Sequence, residues 1–131
     1  MNKQLWFTTS KFEILPGEEE KTNPGRFGLV LTNWVRENLI ARGYSIDEEP
    51  IPEDWGWVVM VQRKPFRLWV GCGNEDGSTT RWSLFVEAEL GIFQKMLKRI
   101  DPSSSVSALE QELEEAIRSE SAFTDVGWES M

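Results

Sequence analysis

The chain has no histidine, one cysteine and one tyrosine. Without histidine no Ser-His-Asp or Cys-His pair can be built, and zinc loses its usual ligand set. A lone Cys72 cannot close an internal disulfide, so a reducing compartment, the cytoplasm, is expected. Long hydrophobic runs are also missing. The longest unbroken one, Trp57 to Val61, is too short to span a membrane as a helix, and MNKQLWFTTS lacks the apolar stretch of a signal peptide. Positive charge is scarce: 14 Lys and Arg face 22 Asp and Glu, a net charge of −8. That balance disfavours nucleic acid and anionic membranes, and it leaves a basic protein as the natural partner. Phosphate-cradling motifs are absent, since Gly71-Cys72-Gly73 ends a strand instead of opening a helix.

What is abundant is tryptophan. Seven occur in 131 residues, four of them between Asp54 and Leu90. That stretch alternates apolar and polar residues in three runs split by turns at Lys64-Pro65 and Gly73 to Thr79, the pattern of an antiparallel meander. An even first loop pairs Trp57 with Cys72, Val59 with Val70 and Val61 with Leu68. An odd second loop pairs Val70 with Trp82, Leu68 with Leu84 and Phe66 with Val86. These residues share one apolar face, against which helices should pack.

Around the meander, residues 4–15 read as extended. Asn23-Pro24 starts a helix that runs to about Arg42, with Phe27, Val30, Leu31, Trp34 and Val35 on its core side and Gly43 as its stop. Tyr44 and Ile46 could begin a short strand, while Pro50 and Pro52 make the rest of the connection to Asp54 a poor helix and a poor central strand. Glu18 to Lys21 reads as a solvated loop. Ile92, Phe93, Met96, Leu97 and Ile100 have helical spacing, Ser107 to Glu110 matches a capping box for a last helix, and Phe123 to Trp128 adds a terminal strand. The expected fold is a single α+β domain over residues 1–131, a mostly antiparallel sheet with helices on one face.

Three features could carry function. The meander's second face holds Met60, Arg67, Trp69, Arg81, Ser83, Phe85, Glu87 and Glu89, the mix of aromatic, Met and Arg found at interface centres. A terminal segment bearing Trp6 or Trp128 could instead cover that face. Second, the loop with Asp47, Glu48, Glu49, Glu53 and Asp54 should lie beside the loop with Glu75 and Asp76, while Arg63, Lys64, Lys95, Lys98 and Arg99 mark the opposite end. Such polarity steers a cationic partner, although charged loops also serve solubility alone. Third, Trp55 and Trp69 are the tryptophans left over for ligand stacking once Trp34, Trp57 and Trp82 are assigned to the core. Glu87 and Glu89 have a separation that a two-carboxylate hydrolase could use, but glutamates two apart on a strand are common. Asn74 to Ser78 lacks the ligand spacing of a calcium loop and reads as a hairpin turn. Cys72 reads as a buried structural thiol.

In size, acidity and α+β build the chain is similar to bacterial toxin-immunity proteins and to small secretion chaperones, a likeness that covers no particular residue. The expectation is a non-enzymatic protein-binding module, a cytoplasmic bacterial immunity- or inhibitor-type protein that masks a basic partner. It would be a monomer or homodimer with no catalytic residue, metal or cofactor. Its partner site would comprise Glu48, Glu49, Glu53, Asp54, Trp55, Trp69, Glu75 and Asp76, with Met60, Arg67, Arg81 and Phe85 as a secondary face. The alternatives are a dimeric chaperone that holds an unfolded segment, and a small-ligand binder or carboxylate-dependent enzyme with a closed pocket at Trp69 or Glu87.

Overall fold

The computed structural model describes residues 2–97 and 100–131, without the side chains of Phe93 and Leu97. Lys98 and Arg99, expected at the basic end, lie outside the described residues. The elements in chain order are β1 (Lys3–Thr8), α1 (Leu29–Ala41), β2 (Ile51–Glu53), β3 (Gly56–Gln62), β4 (Arg67–Asn74), β5 (Arg81–Glu89), α2 (Ile92–Leu97), α3 (Ser103–Arg118) and β6 (Thr124–Ser130). The fold is α+β, with one antiparallel six-stranded sheet ordered β2-β3-β4-β5-β1-β6.

The meander forms with the expected face parity. Trp57 pairs with Cys72 and Val59 with Val70. Val61 does not pair with Leu68: a bulge inserts it, and Gln62 takes that place. The second register sits four residues from the expected one, with Val70 opposite Val86, Leu68 opposite Ala88 and Asn74 opposite Trp82. The shift arises because β4 continues through Gly73 and Asn74. The Asn74 side chain, 3% exposed, holds the strand's end to the preceding loop. Its Oδ1 accepts the Phe27 amide at 3.0 Å, while its Nδ2 donates to the carbonyls of Gly25 (3.0 Å) and Ser78 (2.8 Å). A shift of even length leaves every side chain on its face.

That loop also shortens α1, which begins at Leu29 and not at Pro24. Gly25 and Gly28 have φ of +81° and +151°, incompatible with a continuous helix. Glu18, expected in solvent, is buried within a 3-10 turn (Glu18–Glu20) and caps α1 from a distance. Its Oε2 accepts the amides of Gly28 (3.1 Å) and Leu29 (3.0 Å), and its Oε1 that of Leu15 (2.9 Å). The first four amides of any α-helix lack intrahelical partners, and a carboxylate there also complements the helix dipole. The capping box at Ser107 is likewise interior to α3. The helix starts at Ser103, whose amide donates to Asp101 Oδ1 at 3.0 Å, a bond that holds the Asp101 carboxyl below its usual range.

α1 and α3 pack on the same sheet face. Leu31, Val35 and Leu39 of α1 and Leu109, Leu113 and Ile117 of α3 join Leu5, Phe7, Val59, Val70, Cys72, Trp82 and Leu84 in one buried cluster. Each large apolar side chain in it contributes about 1.5–3 kcal/mol of burial. Aromatic contacts close one side of it: Phe12 lies edge-on to Trp82 (5.8 Å), and Trp34 edge-on to Phe123 (5.1 Å). Asn38, within the apolar stripe of α1, donates to its own helix at Trp34 O (2.9 Å). Among the described residues the terminal segments do not fold across the second face as a layer, although Trp6 and Met131 line one of its grooves. The segments extend the sheet as β1 and β6, which sends Trp128 to the helix side, where its indole donates to Glu114 Oε1 at 3.0 Å.

Candidate functional site

α1 and α3 pack on the sheet's other face; among the described residues only Ile92 and Gln94 of α2 border the second face, at the end that carries Arg67 and Glu89. At the centre of the second face three rings meet. Trp55, in the β2–β3 turn, folds back over β4 and lies near-parallel to Trp69 (6.3 Å, 19°). Phe85 of β5 closes the triangle, 5.1 Å from Trp55 and 5.7 Å from Trp69. Gly71 makes this packing possible. Its neighbours in the sheet are Val58 and Phe85, and a methyl group there would collide with the Phe85 ring and sit 2.8 Å from Trp55 Cη2. The absent side chain is thus the seat of both rings.

Two grooves flank the trio, and Trp55 lines both. One, of about 400 Å³, has Val58 and Met60 as its floor, Trp55, Trp69 and Ile51 as walls, and Arg63, Arg67, Glu53 and Glu89 at its rim. The other, of about 540 Å³, lies over Gly73 and Ser83 between Trp6, Trp55 and Phe85, with Glu75 and Asp76 at its mouth. Volumes of this size accommodate side chains or small ligands.

The structure brings Met60, Trp69 and Phe85 together with Trp55, as the alternation required. Arg67 stays on this face but is occupied, its Nη2 lying 3.2 Å from Glu89 Oε1, which also accepts the Trp69 indole at 3.1 Å. Arg81 turns toward the far edge of the sheet. It donates to Thr8 Oγ1 and to the Asp125 carbonyl, both at 3.0 Å, and its guanidinium lies 5.5 Å from the Trp6 ring centre.

The acidic end is smaller than expected. Glu53 at the end of β2 and Asp54 in the β2–β3 turn do lie beside Glu75 and Asp76 in the β4–β5 turn. The backbone between them is close: a Cβ on Gly73 would be 3.0 Å from Trp55 O, and the Asn23 side chain donates to Asp54 O at 3.1 Å. Glu48 is not there. It forms a two-bond pair with Arg63 (2.6 and 2.7 Å) at the opposite end of β3, and Asp47 and Glu49 flank it in the chain. The reason is β2, which runs antiparallel to β3 with Ile51 opposite Val58. Residues before Ile51 therefore sit a strand's length from the Asp54 turn. Arg36 of α1 fixes this course by donating to the carbonyls of Ile46 (3.1 Å) and Glu48 (3.0 Å). Arg63 draws the Glu48 carboxyl below its usual range, and Glu48 raises the guanidinium in turn.

Cys72 is fully buried on the helix face, and burial pushes its thiol up to about 12, the neighbouring Thr32 opposing. It is therefore neither thiolate nor accessible. Among the described residues, no group of three or more carboxylate or thiol side chains gathers as metal ligands would, and no helix is long and apolar enough to cross a membrane. Sequence reasoning did not foresee Trp6 as a groove wall, Asn74 as the tie between β4 and the loop, or Glu18 as a cap. Only alternation along β1 could have placed Trp6. No protein family, no curated protein and no solved structure matches this chain.

Proposed function

We propose that this chain is a non-enzymatic protein-binding module of the inhibitor or immunity type, which docks a basic partner on the open face of its sheet. The observation that supports this is the Trp55–Trp69–Phe85 trio, set on the sheet face opposite α1 and α3 and bordered at one end by Glu53, Asp54, Glu75 and Asp76. Rigid aromatic side chains beside hydrophobic recesses are the usual energetic centre of protein interfaces. Nearby carboxylates on a molecule of net charge −8 would raise the encounter rate with a cation and orient it. The single cysteine suits a cytoplasmic setting.

Panning of random displayed peptides on the purified protein tests the reading. Selected sequences should be basic. Their affinity should fall at least about tenfold in Trp55→Ala or Trp69→Ala, as expected of interface anchors, and should drop steeply with added salt. Selected ligands of no particular charge, or ligands indifferent to both substitutions, would refute it.

A further inference from the structure

The larger groove on the open face is more specific than a general docking surface. Trp6 of β1, Ser83 of β5 and Gly73 of β4 lie side by side in one cross-strand row, because Trp6 pairs with Ser83 and Ser83 with Gly73. The row's span is about 10 Å at ordinary strand spacing. Ser and Gly put almost no volume above the sheet, whereas Trp6 rises at one end and Trp55 at the other. The result is a trough of about 540 Å³ with an aromatic wall on each side.

Its polar groups point to the occupant. Ser83 is 7% exposed, lines the trough, and its hydroxyl has no hydrogen-bond partner among the described residues. That hydroxyl is open to the trough and free to accept from a ligand. At the mouth Glu75 makes no ion pair among the described residues; Asp76 has Arg26 at 3.8 Å, whose guanidinium also lines the trough and donates to the Asn74 carbonyl at 3.2 Å, leaving Glu75 as the unpaired carboxylate. Trp55, backed by Trp69, offers a stacked indole surface. The same face already sets one guanidinium against an indole, Arg81 at Trp6. A planar cation with several donors matches these groups in kind: a flat face for Trp55, donors for the Glu75 and Asp76 carboxylates, and a donor for Ser83 Oγ. An ammonium has the charge but neither the plane nor the fork of donors.

We infer that the trough is a subsite for one arginine side chain of the partner, its guanidinium stacked on Trp55 and held by Glu75 and Asp76. This rests on the protein-binding reading and names the residue that the partner inserts.

The test uses blocked pentapeptides, glycine-flanked, with a central arginine, lysine or citrulline, titrated into ¹⁵N-labelled protein while the indole N–H signals are followed. The arginine peptide should shift the Trp6 and Trp55 signals. The lysine peptide should bind about tenfold more weakly, and the uncharged citrulline peptide weaker still. Ser83→Val, which fills the floor with a residue suited to strands, should abolish the response while the rest of the spectrum stays native. Glu75→Gln with Asp76→Asn should weaken it without touching the floor. Citrulline binding as well as arginine, or Ser83→Val binding like wild type, would overturn the inference. If displayed basic peptides still depend on Trp55 and Trp69 while Trp6 stays silent and Ser83→Val has no effect, the arginine subsite falls and the open-face reading stands. If no basic peptide perturbs any residue of this face, both fall.

Discussion

Replacing Gly71 by alanine tests the centre of the site directly. Gly71 lies within β4 at a φ that any residue can adopt, so the backbone itself favours the change: about 0.5–1 kcal/mol is gained when glycine gives way to alanine in a strand. Packing opposes it. The new methyl would occupy the space of the Phe85 ring edge and come within 2.8 Å of Trp55 Cη2. Both rings would have to tilt off the sheet, and overpacking of this kind costs about 1–3 kcal/mol. The net expectation is a loss of about 1–2 kcal/mol, or roughly 3–8 °C in Tm for a chain of this size. Urea unfolding followed by tryptophan fluorescence measures it, with a red-shifted native spectrum as Trp55 lifts into water. The decisive comparison repeats the substitution in a Phe85→Ala background. There most of the collision is gone, so alanine at position 71 should be neutral or stabilising, with a coupling of about 1–2 kcal/mol between the two sites. A Gly71→Ala protein as stable as wild type, or a coupling below about 0.5 kcal/mol, would show that the rings are not seated on this glycine.

Asn74→Ala removes three hydrogen bonds that join the β4 end to the loop before α1 and to the β4–β5 turn. It should cost about 2–4 kcal/mol, and amide exchange should accelerate first at Phe27 and Ser78. Cys72 supplies a pH dependence with a definite sign. Its folded pKa of about 12 lies above that of an unfolded thiol. The native state therefore holds a proton that the unfolded state has lost, and stability falls as pH rises from about 9 toward 12, by up to about 1.4 kcal/mol per pH unit. Denaturation curves across that range should show the slope in wild type and a shallower one in Cys72→Ala, and thiol reagents should label Cys72 only on unfolding. Because Glu48 belongs to the far end with Arg63, Glu48→Lys should leave the association rate of a selected basic peptide unchanged. Glu75→Lys with Asp76→Lys should slow it by about tenfold at low salt in stopped-flow mixing.

The meander was legible because the property that matters there is parity. An apolar residue at every second position assigns faces whatever the exact pairing, so Val70 could be set against the wrong partner by four residues and still be placed inside. The bulge at Val61 and the continuation of β4 through Asn74 were not legible. Each depends on a partner distant in sequence: the Asn74 side chain is an ordinary turn residue until Gly25 and Phe27 arrive to bond it. Glu18 shows the same limit. In a run of three glutamates nothing marks one as buried, and only the unpartnered amides of Gly28 and Leu29 select it. The helix start at Asn23-Pro24 failed for the complementary reason: a favourable local signal was overruled by two glycines held at positive φ.

The two halves of the candidate site differ in how far the sequence could carry them. In the aromatic half Trp69 and Phe85 needed only alternation, while Trp55, in a turn, also needed the space left above Gly71. The acidic half needed the direction of the chain. Asp47, Glu48, Glu49, Glu53 and Asp54 are neighbours in sequence, yet β2 separates them by a strand's length and Arg63 claims Glu48. What survives at the Trp55 end is Glu53 and Asp54 beside Glu75 and Asp76, whose only close cation in the ion pairs of the described residues is Arg26 beside Asp76. This also bears on which partner the open face selects. A bare aromatic face would accept a second copy of the chain as readily as anything else. Two copies of net charge −8 repel one another, whereas a basic segment is drawn to those carboxylates. The excess of carboxylates thus discriminates between partners that the trio alone would treat alike, and a segment that pairs cations with those side chains gains attraction where a like copy meets repulsion.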